Sequence, residues 1–115
     1  MSFKAISRDI VDVTVIDLDG RITLGEGSNL LRDLIREKLS HGRRKILLNM
    51  AAVNYVDSTG LGELVSAYRL IKSEGGELKL LSLNKKVTDL LQITKLYTVF
   101  DTHNDEAQAI ASFHS

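Results

Sequence analysis

With 115 residues, a hydrophobic share of 43% and a charged share of 26%, the chain has the make-up of one soluble globular domain with a single core. Fifteen basic and fifteen acidic residues cancel to a net charge of zero and are mixed along the sequence, which excludes the concentrated basic surface of a nucleic-acid binder. Cysteine is absent, which excludes disulfides, a thiol nucleophile and zinc–thiolate chemistry.

No apolar run approaches the ~18 residues of a membrane span, and Met1-Ser2-Phe3-Lys4-Ala5 lacks the apolar stretch of a signal peptide. The expected location is therefore the cytoplasm.

The first element is a short edge strand over Phe3 to Arg8, with a hairpin turn expected at Asp9-Ile10. Val11 to Val15 alternates apolar with polar, as a half-buried strand does. At Val15-Ile16 the phase slips, which implies a bulge or burial on both faces, and Asp19-Gly20 closes the strand. Arg21 to Gly27 reads as loop, and Ser28 or Asn29 can cap the next element. A helix follows with the apolar stripe Leu30, Leu31, Leu34, Ile35 and Leu39, stopped by His41-Gly42. Arg43-Arg44-Lys45 is a solvated turn before Ile46-Leu47-Leu48, a central strand apolar on both faces.

Leu61, Leu64, Val65, Tyr68 and Ile71 then trace one face of a second helix that ends near Glu74-Gly75-Gly76. Glu77 to Leu83 is a further strand, and Asn84 caps a third helix with the stripe Val87, Leu90 and Leu91, ended by Thr94-Lys95-Leu96. Phe100 begins a short last strand, and Asp105 to Phe113 forms a final helix with Ala107, Ile110 and Ala111 inward. The order β-β-α-β-α-β-α-(β)-α predicts an α/β fold, a mixed, mostly parallel sheet of about four to five strands with about four helices. It is expected to be one domain over residues 1–115, with its core at about 3–113.

Between the central strand and the second helix lies Asn54-Tyr55-Val56-Asp57-Ser58-Thr59-Gly60-Leu61-Gly62. Either Ser58 caps the helix, or Asp57 does and leaves the Ser58 hydroxyl free. Gly60 and Gly62 in the first turns each cost about 1 kcal/mol against alanine. Tight packing on the sheet, or close approach of a partner surface or a phosphate to bare backbone, would each explain that sacrifice.

Catalytic patterns fail on spacing. A nucleophile elbow needs glycine where Val56 stands, an aspartic-protease loop has no room for Thr59, and a P-loop needs a lysine before Lys72. His41, His103 and His114 form no triad signature, so no enzyme, cofactor or metal site is expected.

Three segments together carry a family likeness: Leu18-Asp19-Gly20-Arg21-Ile22, Val53 to Gly62 with its Asp-Ser-Thr-Gly-Leu-Gly run, and Leu91-Gln92-Ile93-Thr94-Lys95-Leu96. The chain resembles the bacterial anti-sigma factor antagonists, small domains of the sulfate transporter and anti-sigma antagonist (STAS) fold. The resemblance implies a partner-switching regulator of transcription. Its unmodified form binds an anti-sigma factor that is also a serine kinase and frees the sigma factor. Phosphorylation at Ser58, with Thr59 as second choice, ends that binding, and a serine phosphatase resets it. The implied partner surface comprises Asp19, Gly20, Arg21, Thr23, Asp57, Ser58, Thr59, Gly60, Leu61 and Gly62, on a monomer or weak dimer. Thr23 departs from the acidic residue common at that place. The alternative is a STAS scaffold without the switch, or a subunit of a signalling or lipid-transport complex.

Overall fold

The computed structural model describes residues 3–114; Met1, Ser2 and Ser115, the outermost residues of the expected domain, lie outside the described residues. Their order is β1 (Lys4–Ile10), β2 (Val13–Ile22), α1 (Glu26–Ser40), β3 (Lys45–Val56), α2 (Ser58–Ser73), β4 (Glu77–Leu81), α3 (Lys85–Ile93), a 3-10 turn (Leu96–Thr98), β5 (Asp101–His103) and α4 (Glu106–Ser112). The strands form one sheet in spatial order β1-β2-β3-β4-β5. The β1–β2 pair is antiparallel, and the others are parallel. This is the α/β order and mixed sheet that the sequence pattern predicts.

The phase slip in β2 resolves as burial on both faces. Ile16 and Leu18 join the main core with Leu31 and Ile35 of α1, Leu64 and Ile71 of α2, and Val87 and Leu91 of α3. Val13 and Val15 point the other way, into a smaller core with Leu47, Leu81, Ala109 and Phe113. Side chains alternate faces along a strand, so consecutive apolar residues need cover on both sides. Ile46, Leu47 and Leu48 of the central strand have no exposed surface for the same reason. Two cations fasten α4 over the second face. Arg8 bridges Asp17 and Glu106, and the buried Lys79 reaches Asp101 and the Ser112 carbonyl.

Several local expectations need correction. The hairpin turn is at Val11-Asp12, not Asp9-Ile10: Val11 takes φ 57, and Asp9 stays in β1, where its carboxylate accepts from the Thr14 hydroxyl at 2.8 Å. Asp19-Gly20 does not close β2; the strand runs to Ile22, with register shifts against β3 between Asp17 and Asp19 and between Gly20 and Arg21. Gly20 absorbs this irregularity at φ 114, where a side chain would be strained. α1 starts at Glu26 behind Gly25, without a side-chain cap; Ser28 is buried inside it and donates to the Thr23 carbonyl at 2.8 Å. Leu30 is exposed rather than part of the stripe. β4 ends at Leu81, two residues early, because Ser82 turns at φ 60. In α4, Ala109 and Phe113 face inward, while Ala107 and Ala111 face solvent.

Candidate functional site

β2 and β3 run side by side and finish together, with Ile22 opposite Val56 as their last pair. The Asp57 N–H donates to the Ile22 carbonyl at 3.3 Å, so the chain leaves the sheet held against β2. Asp57 is extended (φ −93, ψ −177) and is the cap of α2. One carboxylate oxygen accepts the Gly60 N–H at 2.7 Å, and the other accepts the Leu24 N–H at 3.2 Å. A single side chain thus ties the first turn of α2 to the loop between β2 and α1. The Gly60 N–H above all, then those of Leu24 and Thr59, hold the Asp57 carboxyl below the usual carboxylate range against a smaller opposing effect of burial.

With Asp57 as cap, Ser58 is the first residue inside the helix. It is exposed, and its hydroxyl has no hydrogen-bond partner among the described residues. Thr59 beside it is exposed too.

The two glycines have different reasons. A Cβ on Gly60 would lie 1.9 Å from the Ile22 carbonyl oxygen, so only glycine lets α2 start this close to β2. A Cβ on Gly62 would meet nothing within 4 Å, and the residue is exposed. Gly62 follows Ser58 by one helical turn, so the two share a face. Nothing inside the fold requires that glycine.

The other residues of the implied surface lie around this rim. Asp19 is exposed on β2 opposite Lys4 and Ala52. Arg21 is exposed, with its guanidinium 4.8 Å from the ring centre of Tyr55; an exposed cation–π contact of this kind is worth about 0.5–1 kcal/mol. Gly20, Arg21 and Thr23 line one depression together with Leu24, a residue 77% exposed. Leu61 is buried, so it presents no side chain outward. Together with the Cβ-free packing of Gly60, it fixes where Ser58 stands.

Leu24, Lys86 and the second bond of Asn84 escaped the sequence reading. Leu24, read as plain loop, is placed on the rim by Asp57. Asn84 caps α3 by accepting the Val87 N–H at 2.9 Å, and its amide also donates to the Val53 carbonyl at 3.0 Å. That second bond fastens α3 to the end of β3. As a result Lys86, Val87 and Leu90 of α3 face Tyr55, Asp57 and Ser58 across a depression of about 420 Å³. Only the dual role of Asn84 could have hinted at this, and a cap signal alone does not specify it.

The histidines are occupied elsewhere: His41 at the Glu37 carbonyl, His103 beside Asp101, and His114 beside Asp12. Ser112, His103 and Asp101 lie near one another, but serine and aspartate approach the same ring nitrogen, Nε2. A catalytic triad uses opposite nitrogens. Among the described residues, no group of three or more His, Asp or Glu is arranged to hold a metal ion, and no helix is long and apolar enough to cross a membrane.

Comparison with known proteins points the same way. A family model described as STAS domain matches residues 4–109. The anti-sigma-B factor antagonist of Bacillus subtilis is 33% identical over 95 residues, which cover 79% of this chain and 87% of that protein. The crystal structure of a candidate anti-sigma factor antagonist from Thermotoga maritima superposes with a TM-score of 0.89 at 25% identity, covering 96% of this chain and 95% of the other. The Bacillus cell fate determinant SpoIIAA in its phosphorylated form gives a TM-score of 0.70 at 21% identity, covering 96% and 98%, a likeness of fold.

Proposed function

The chain belongs to the STAS domain family, among its bacterial anti-sigma factor antagonists, and on that premise we propose that it is a partner switch governed by phosphorylation of Ser58. Unmodified, it binds a cytoplasmic anti-sigma factor that is also a serine kinase, and so releases the sigma factor. The kinase transfers the γ-phosphoryl group of ATP to the Ser58 oxygen, forming the O–P bond, breaking the bond to ADP and releasing the hydroxyl proton. A serine phosphatase reverses the modification.

The observation that carries the reading is the division of labour at the start of α2. Asp57 takes the cap, so the Ser58 hydroxyl stands exposed and unbonded on the rim. A phosphate there adds about −1.5 to −2 charge. The helix start tolerates it, because free N–H groups and the helix dipole favour an anion. The interface does not tolerate it: beside the ionised Asp57, the phosphate makes a concentrated negative patch that a docked partner would have to strip of water. A penalty of about 2–4 kcal/mol weakens binding roughly 30- to 1000-fold. The fold survives while the interface is lost. SpoIIAA, which shares this fold, is known as a structure in phosphorylated form.

The test is incubation with the kinase-type anti-sigma factor of the source genome and ATP, followed by mass spectrometry of the peptides. One phosphate on Ser58, abolished in Ser58→Ala, is expected. No phosphate, or one that persists on Thr59 in Ser58→Ala, would overturn the assignment. Complete absence would favour a STAS scaffold without the switch.

A further inference from the structure

Beside Ser58 stands one charge that the fold does not use. Lys85 and Lys86 open α3, where the helix dipole disfavours cations and the first turn holds no acidic residue. Lys85 is committed to Asp89 one turn on, at 3.1 Å. Lys86 forms no ion pair or hydrogen bond among the described residues. It lines the same depression as Ser58, with Tyr55, Val87 and Leu90 forming much of the wall between them. Its backbone is held in place, since Asn84 caps α3 and also binds the Val53 carbonyl of β3. An uncommitted ammonium group therefore shares a fixed, partly apolar recess with the hydroxyl that receives the phosphate.

We propose that Lys86 is the counter-charge for the phosphate on Ser58, and that the pair closes the mouth of this depression. The proposal rests on Ser58 being the modified residue. In the unmodified protein the ammonium stays in water and the recess between β3 and α3 is open. Once the phosphate is present, the lysine swings across to it and covers Tyr55, Val87 and Leu90. The switch then changes the shape of the partner surface as well as its charge. Lys86 is a positioning residue here and takes no part in the transfer itself.

The charged and titratable groups facing the phosphate are Asp57 at the start of α2, Tyr55 on β3 and Lys86 on α3, with Arg21 of β2 over the Tyr55 ring. Asp57 opposes the second ionisation of the phosphate, while Lys86 favours the dianion and lowers that pKa. Asp57, Tyr55 and Arg21 are common to every variant below, so the difference isolates the lysine.

The experiment uses the full chain with phosphoserine installed at position 58 during translation, and follows the ³¹P resonance with pH. Removing Lys86 as K86Q is expected to raise the second phosphate pKa by roughly 0.2–0.7 unit, the equivalent of an exposed ion pair. The neighbouring K85Q should leave it unchanged. Superimposable curves for wild type and K86Q, or a shift as large in K85Q, would overturn the proposal. Because the phosphate is installed without a kinase, this readout stands apart from the kinase assay. A protein that no kinase modifies would defeat the switch reading and leave the titration interpretable.

Discussion

Replacing Gly60 and Gly62 by alanine, one at a time, should move stability in opposite directions although both lie in the first turns of α2. At Gly60 the new methyl group would sit 1.9 Å from the Ile22 carbonyl oxygen and 2.7 Å from its carbon, both backbone atoms that cannot rotate away. The start of α2 must lift off β2, which strains the Asp57 N–H bond to Ile22 and the carboxylate link to Leu24. Overpacking costs about 1–3 kcal/mol and lost hydrogen bonds about 0.5–1.5 kcal/mol each, against a helix-propensity gain of about 1 kcal/mol. The expected net loss is about 2–3 kcal/mol. At Gly62 the methyl group meets nothing within 4 Å, so only the propensity gain of about 0.5–1 kcal/mol remains.

Urea denaturation followed by circular dichroism reads both. With a slope of about 1.5 kcal/mol per molar, the midpoint should fall by roughly 1–2 M for Gly60→Ala and rise by roughly 0.3–0.7 M for Gly62→Ala. A Gly60→Ala midpoint equal to wild type, or a destabilised Gly62→Ala, would refute the reasoning. Gly62→Ala should also bind the anti-sigma kinase more weakly despite its firmer fold, as a glycine kept for a partner requires.

Two further outcomes follow from the carboxylates. Asp57→Ala removes the α2 cap and should cost about 1 kcal/mol, whereas Asp57→Asn, which still caps, should cost only a few tenths; in both, the Leu24 amide should exchange hydrogen faster, and unchanged exchange would deny that Asp57 holds the loop. Acid should also weaken the fold. Asp12 is held at about 2 by hydrogen bonds from Lys45 and His114. Asp17 and Glu106 are lowered mainly by Arg8, and Asp57 mainly by the Gly60 N–H. These groups ionise near 3.9–4.3 when unfolded, so as pH falls from about 4.5 towards 2 the unfolded chain binds more protons and stability is lost. Urea midpoints that stay constant from pH 5 to pH 2.5 would contradict this.

Sequence periodicity was enough for the sheet and three of the helices because their apolar residues are redundant. Ile46-Leu47-Leu48 can only be a strand covered on both sides, and the α2 stripe from Leu61 to Ile71 keeps its phase over about three turns. Where the reading failed, a decision depended on tertiary contact. Asp19-Gly20 looks like a terminator, yet pairing with β3 carries β2 past the glycine to Ile22. Asp9 looks like a turn residue, but Thr14 and Arg43 hold its carboxylate, and Val11 takes the left-handed position that nothing in its chemistry suggests. The short α4 offers alanines or isoleucine on almost every side, so its inward face is set by where Arg8 and Lys79 hold it. The site divides in the same way. In the Asp57-Ser58 pair the cap was narrowed to two neighbours and the proposed phosphoacceptor was among them, whereas Leu24 is brought there by its amide hydrogen bond to Asp57 across 33 residues, and Lys86 by the bond from Asn84 to Val53 across 31.

The most direct test of the central claim is the affinity of the anti-sigma kinase for unmodified protein and for protein carrying phosphate on Ser58, measured by calorimetry at the same ionic strength. The phosphorylated form should bind at least 30-fold more weakly while keeping the same circular dichroism spectrum. Equal affinities for the two forms would contradict the switch.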